Sequence, residues 1–418
     1  MKPNIYLTLM ASALILGTGC KKDQGPSGVL APTTNSLVTG FPLNSPTATG
    51  RLIPFDNNDG NGLSNMLSYD NTSNQVSLIN VSGGTLTTIW TTTGLTLDNG
   101  EGTFNLNTYP STDNYNEIGG VHIIPFDLAG TGHEDYLLVY VPGDEKCAIL
   151  GLTSTPGVWH QVWPTSGGVS SSGIGGYNLG STLDKIIAFQ YTGTTKSALI
   201  CYRPGSGSFW VLKNTGTAAA PAWTAAVQSG DGVGGYDLHD VRDQVITVDD
   251  PGGTGDAYLA LYRPGAGYFW WILHTSNTTT FTTQFGSRTG LAGFPLTHQG
   301  DRIIAWDQSE QNFQDNILCY SPGYGNSYTL FTGDVTATEA MTPLSPNWVY
   351  PMTTNPYSTT PTYVGDHIIT LHGTGTSSGG LSTLVAYTNG TGAAQIYDEA
   401  GSGSGVAANG VPLTLVYP

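Results

Sequence analysis

Charge is scarce in this chain, and positive charge scarcer still. Only 10% of the residues are charged, and 13 Lys and Arg stand against 30 Asp and Glu, a formal charge of −17. So acidic a surface repels phosphate backbones, which argues against nucleic acid as a partner. Helical patterning is missing too: no long segment repeats its apolar residues every ~3.6 positions. Of four cysteines, Cys20 falls in the leader, and the remaining three (Cys147, Cys201, Cys319) cannot complete a disulfide framework. Cys201 and Cys319 each precede a recurrent Tyr and read as small buried apolar residues, so no metal is implied. No G-x-S-x-G elbow or H-E-x-x-H motif occurs, and the eight His are scattered, which weighs against an enzyme. His367 and His372 flank one strand and point to opposite faces, so they do not form a metal pair.

Glycine is abundant, 57 of 418 residues, and aromatics make up 10%, too many for a disordered chain. Short β-rich runs between Gly, Pro, Asn and Asp clusters read as an all-β protein. The first twenty residues form a leader: Lys2, an apolar run from Ile5 to Leu16 too short to span a bilayer, then Gly17-Thr18-Gly19-Cys20. Small residues before a Cys resemble a bacterial lipoprotein signal peptide (residues 1–20), in which Cys20 is acylated; the alternative is an ordinary secretory peptide. Residues 21–36 read as a flexible tether. The charged start Lys21-Lys22-Asp23 resembles the export signal of surface lipoproteins in the Bacteroidetes lineage. The expected location is the outer membrane, facing the cell surface or the periplasm, with contact to the membrane through the lipid anchor only.

The rest of the chain, 37–418, is a repeat. Lys185–Lys213 returns as Gln244–Leu273: an apolar strand, a turn, a second strand ending in Tyr-Arg-Pro-Gly, and an aromatic third strand. The first strand occurs six times, starting at Arg51, His122, Lys185, Gln244, Arg302 and His367, at intervals of 71, 63, 59, 58 and 65 residues. The second strand ends at Tyr69, Tyr140, Tyr202, Tyr262, Tyr320 and Tyr387. A linker marker precedes each unit, among them Gly40-Phe-Pro-Leu43, Gly102-Thr-Phe-Asn-Leu106, Gly175-Gly-Tyr-Asn-Leu179, Gly234-Gly-Tyr-Asp-Leu238 and Gly293-Phe-Pro-Leu296. Such a period, longer than the ~40–50 residues of the commoner propeller repeats, suits four strands with roomy connections. Ala198–Tyr202 is apolar on both alternating faces, as a sheet packed on both sides requires. The expectation is a six-bladed β-propeller of four-stranded antiparallel blades, with the repeated first strand innermost. Fourth strands are expected at Thr85–Thr93, Val158–Pro164, Trp223–Gln228 and Thr280–Gly286. Either Asn35–Thr39 or Thr414–Tyr417 completes the last blade.

The segment Asp127-Leu-Ala-Gly-Thr-Gly-His-Glu-Asp135-Tyr-Leu-Leu-Val-Tyr140 resembles the strand–loop–strand of FG-GAP or VCBS repeats, the integrin-α-like propellers. The resemblance implies a propeller fold and says little of function. It also implies a calcium loop, from which this sequence departs throughout. Asp127 and Asp135, like Asp307 and Asp315, keep the ends of that loop without its middle carboxylates. Asp56, Asn58, Asp59 and Asn61 make the loop richest in oxygen ligands, hence the first choice if Ca2+ binds. Metal-free Gly-rich turns are the alternative, and no other cofactor is expected.

In an antiparallel meander the second-to-third hairpins share a face with the inter-blade linkers. That face would collect Arg203, Arg263, Trp210, Trp270, Tyr177, Tyr236, Asp237 and Tyr324, an aromatic and polar set suited to sugar rings. The competing reading has the aromatics packing blade on blade and the arginines pairing with a linker acid such as Asp237 or Asp240. The leading expectation is a non-enzymatic recognition module, binding glycans (carbohydrate binding) or a protein partner. A propeller-scaffold hydrolase or lyase and a structural subunit, stiffened by calcium, are the alternatives.

Overall fold

The computed structural model describes residues 50–56, 65–82, 85–98, 102–108, 120–165, 168–191, 196–249, 257–275, 278–291, 293–306, 316–322, 326–331, 366–372, 382–388, 393–399 and 413–417. The leader with Cys20, the tether, Asn58, Asp59, Asn61 and Tyr324 lie outside these residues, as do Asp307 and Asp315. Apart from one 3-10 turn at Leu106–Thr108, every described element is a strand. The arrangement is propeller-like, built from four-stranded antiparallel blades. There are four such blades among the described residues, against the six expected.

The first blade runs in order through β1 (Gly50–Phe55), β2 (Asn65–Asp70), β3 (Gln75–Ser82) and β4 (Thr85–Thr93). The second sheet holds β5 (Leu95–Leu97), β6 (Thr103–Phe104), β7 (His122–Phe126), β8 (Tyr136–Val141), β9 (Lys146–Leu152) and β10 (Val158–Trp163). Regular blades follow as β11 (Lys185–Gln190), β12 (Ser197–Arg203), β13 (Ser208–Asn214) and β14 (Trp223–Ser229), then β15 (Gln244–Asp249), β16 (Ala257–Arg263), β17 (Tyr268–His274) and β18 (Phe281–Ser287). The fifth sheet shows three strands, β19 (Arg302–Trp306), β20 (Asn316–Ser321) and β21 (Asn326–Phe331). The last blade is β22 (Asp366–His372), β23 (Ser382–Thr388), β24 (Ala393–Glu399) and β25 (Leu413–Tyr417).

Two sheets therefore depart from the regular unit. In the second, the stretch expected as a plain linker at Gly102–Leu106 instead supplies β6, which pairs with β5, and β5 runs parallel to β10. That widens the sheet to six strands. In the fifth, only three strands fall on described residues. The last blade is completed from the C-terminal side, since β25 pairs antiparallel with β24.

Apolar residues at both alternating positions of the strands explain how the sheets stack. In β12, Ile200 and Tyr202 enter a core shared with the fourth sheet, while Leu199 and Cys201 enter one shared with the second. Cys147, Cys201 and Cys319 are free and buried.

The first strand of each sheet leaves one edge unpaired, and its N–H groups need partners. The recurrent tyrosine supplies them. In all six sheets the first residue of the repeated strand lies opposite that tyrosine: Arg51 with Tyr69, His122 with Tyr140, Lys185 with Tyr202, Gln244 with Tyr262, Arg302 with Tyr320, and His367 with Tyr387. Each phenol then reaches the following sheet. Tyr140 accepts from the Ile186 N–H at 3.1 Å, Tyr202 from Val245 at 3.2 Å, Tyr262 from Ile303 at 3.2 Å and Tyr320 from Ile368 at 3.2 Å. Tyr69 accepts from Ile123, and Tyr387 returns to Leu52 at 3.4 Å. The first strands accordingly touch in the cyclic order β1, β7, β11, β15, β19, β22 and back to β1.

Candidate functional site

The linkers and the second-to-third hairpins do lie together. The Leu179 carbonyl accepts from Gly143, that of Leu238 from Gly205 and Gly207, and that of Leu296 from Gly267, at 2.7–3.1 Å. Each linker is a tight reversal. Ile174 and Tyr177 exchange both backbone hydrogen bonds, as do Val233 with Tyr236 and Leu291 with Phe294. In the first two, paired glycines with positive φ occupy the turn (58° and 87° at Gly175 and Gly176, 57° and 87° at Gly234 and Gly235), the conformation of a type I′ hairpin turn. Gly173 and Gly232 are required for a second reason: a Cβ there would lie 1.9 and 1.7 Å from the Tyr177 and Tyr236 carbonyl oxygens.

That reversal buries the residue expected as a stacking platform. Tyr177 and Tyr236 are 2% and 3% exposed, and their hydroxyls donate to Asp184 and Asp243 at 2.8 and 2.6 Å. The sequence reading missed these two acids, although each stands directly before a repeated first strand. Both carboxylates are fully buried. Arg203 donates to Asp184 through Nε and Nη2 at 2.7 and 2.9 Å. Arg263 does the same to Asp243 at 2.7 and 3.1 Å. The second oxygen also accepts a turn N–H, from Ser181 or Asp240, at 2.8 or 2.9 Å. These Tyr–Asp–Arg triads fasten linker to blade. Bidentate geometry and burial suit a structural ion pair. Of the linker acids expected as partners, Asp237 bonds Arg263 at 2.8 Å and Asp240 stands 3.8 Å from it.

What remains open to solvent is a rim patch, best developed in the fourth sheet. Trp270 is half-buried and meets Tyr236 and Tyr268 edge-on at 5.4 and 6.2 Å. Two guanidinium groups approach the Tyr268 ring, Arg263 at 5.0 Å and Arg288 at 5.6 Å from its centre. The Asp237 side chain, 55% exposed, borders them. In the third sheet Trp210 meets Tyr177 edge-on at 5.6 Å, but Ser208 and Gly230 replace Tyr268 and Arg288. Asn178 takes the place of Asp237 and donates to Glu145 at 2.6 Å.

A second cluster joins the first and second sheets around the resemblance-bearing loop. Asp127 accepts three backbone N–H bonds, from Gly130 at 2.6 Å, Thr131 at 3.1 Å and Gly132 at 2.7 Å. Both its oxygens are thereby engaged by the loop itself. Asp56, 2% exposed, meets His133 Nδ1 at 2.6 Å, and that hydrogen bond raises the His133 pKa above its ordinary value. Asp135 keeps one oxygen, Oδ1, buried with no hydrogen-bond partner among the described residues. Burial, reinforced by the charges of Asp127 and Asp56, lifts its pKa to about 6. Among the described residues no group of three or more His, Cys, Asp or Glu is disposed to hold a metal ion.

No family model matches this chain, and no curated protein matches it. Several solved structures are similar at low identity. A 6-phosphogluconolactonase candidate from Bacteroides uniformis shares 10% identity over 66% of this chain and 65% of its own, with a TM-score of 0.37. A protein from Lactobacillus plantarum shares 10% over 66% of each chain, with a TM-score of 0.34. The periplasmic gluconolactonase PpgL from Pseudomonas aeruginosa shares 12% over 79% of this chain and 80% of its own, with a TM-score of 0.33. The chain thus spans just under two thirds of the length of the first two. At these scores the likenesses carry no argument about activity.

Proposed function

We propose that this protein is a lipid-anchored extracytoplasmic recognition module, attached through Cys20, that binds glycans through the rim patch of its linker face. The reading takes the six sheets as one ring, supported by the cyclic contact of their first strands. The observation that carries it is the rim set around Tyr268: a half-buried aromatic ring with Arg263 and the exposed Arg288 near it, flanked by half-buried Trp270 and exposed Asp237. Sugar C–H faces stack on such rings, while guanidinium and carboxylate groups take hydroxyls in paired hydrogen bonds. Tyr177, Tyr236, Arg203 and Arg263 serve this site chiefly by holding it rigid. Glycan-array screening of the whole protein, repeated with Trp270→Ala and Tyr268→Ala, tests the reading. Retained folding with binding weakened about tenfold or more is expected, in line with the cost of losing an aromatic anchor. Array binding that both variants leave intact would overturn it.

The Asp56–His133–Asp135 cluster favours a second reading, a hydrolase using Asp135 as a proton donor near neutral pH. Turnover of glycosidic or ester substrates that vanishes in Asp135→Asn would support it over the first.

A further inference from the structure

We propose that the axial mouth of the ring, on the linker face, is a binding site for an anionic group: carboxylate, phosphate or sulfate. The six strands that meet in cyclic order each carry a nitrogen-bearing side chain opposite the recurrent tyrosine, at the first residue of β7, β11, β15 and β19 and the second of β1 and β22: Arg51, His122, Lys185, Gln244, Arg302 and His367. All six are half-buried, while the residue after each (Leu52, Ile123, Ile186, Val245, Ile303, Ile368) is at most 5% exposed. The pattern sets the polar residue at one height in every strand, opposite the recurrent tyrosine.

Neighbours in the ring come within reach of each other. Lys185 Nζ donates to Gln244 Oε1 across the sheet boundary at 2.7 Å. The Arg51 charge acts on Tyr69 of its own sheet and on Tyr140 and Tyr387 of the sheets to either side. His122 and His367 stack on Tyr140 and Tyr387, both at 5.1 Å, which fixes their rings. Three of the chain's 13 Lys and Arg therefore gather at one axis in a protein of net charge −17. Four acids directly precede this height, and three are engaged elsewhere: Asp184 and Asp243 by their arginines, and Asp301 by the Ser321 hydroxyl at 2.6 Å; the fourth, Asp366, precedes His367. Cations converging in a partly desolvated mouth attract an anion more strongly than scattered surface charges do. The inference stands on the ring and is independent of the rim patch.

The test is isothermal titration of the whole protein with inorganic phosphate at constant ionic strength set by chloride, followed by displacement with an oligogalacturonide. Saturable phosphate binding is expected, weakened about tenfold in Arg302→Gln and again in Lys185→Gln, the loss of one charge-assisted contact each. Lys213→Gln, on β13 away from the axis, should leave it unchanged. Displacement by the uronate would identify an anionic glycan as the source, and binding without displacement a free inorganic anion. Absence of saturable binding, or equal loss in Lys213→Gln, would overturn the proposal. Should Arg302→Gln fail to fold, Lys185→Gln alone decides.

Discussion

In the fourth sheet the buried carboxylate before the first strand, Asp243, is held by a tyrosine and an arginine. In the fifth, Asp301 at the same place accepts from the Ser321 hydroxyl and the His298 N–H, with Phe294 at the tyrosine's position in the linker and Ser321 at the arginine's position after the second-strand tyrosine. Both side chains cap the same turn, so the capping does not depend on the ion pair. The difference lies in how burial of the carboxylate is tolerated. Asp243 is offset by a cation, whereas Asp301 has its pKa raised by burial, only partly countered by Ser321. A buried acid can be paired or pushed toward its neutral form, and this chain does both in adjacent repeats.

The largest test of that contrast is Asp243→Ala, which takes the acceptor from the Arg263 Nε, the Tyr236 hydroxyl and the Asp240 N–H together, leaving Arg263 its bond to Asp237. Urea unfolding should show a loss of about 3–5 kcal/mol, the usual cost of breaking a buried pair from one side. Asp301→Ala should cost about 1–3 kcal/mol, since only neutral donors lose their acceptor. Equal losses would erase the distinction. Smaller again is Tyr202→Phe, which removes one acceptor from the Val245 N–H and should cost about 1–2 kcal/mol by the same measurement. Tyr387→Phe, whose bond to Leu52 is longer, should cost less.

The smallest expected effect has the opposite sign. A carboxyl whose folded pKa is raised favours the fold when protonated, so its contribution falls as pH rises from the unfolded value of about 4 through the folded one. For Asp135 that window runs from 3.8 to about 6. His133, also raised, adds stability below its unfolded pKa and loses it as pH rises through the folded one. Asp135→Asn should therefore raise the thermal midpoint by about a degree (the shift that goes with roughly 1 kcal/mol in a chain this long) at pH 8 and leave it nearly unchanged at pH 4. A lower midpoint at pH 8 would show that the charged form is wanted there.

The strands and their register were legible because three markers recur in fixed order and each apolar run alternates toward two neighbours. β4 (Thr85–Thr93) runs as read, and the fourth strands at β10, β14 and β18 fall within a residue of their expected bounds. Cys201 and Cys319 are buried as expected. The triads were half legible. Arg203 and Arg263 announce themselves in Tyr-Arg-Pro-Gly, but their acids stand one residue outside the repeated strand, in the unlike stretches Ser181–Asp184 and Asp240–Asp243. No local pattern ties Asp56 to His133, 77 residues away, because only the neighbouring of two sheets brings them together. The pairing of β6 was hidden by its likeness to a linker.

The tyrosine that ends each second strand has a mechanical consequence. A fastening whose two halves sit on neighbouring leaves cannot be undone within one leaf. Excising the final sheet would strip the Leu52 amide of its acceptor and leave the Tyr320 phenol without its donor, hundreds of residues apart in the chain. Damage to one leaf is thereby felt at both its flanks, and neighbouring leaves should come apart together.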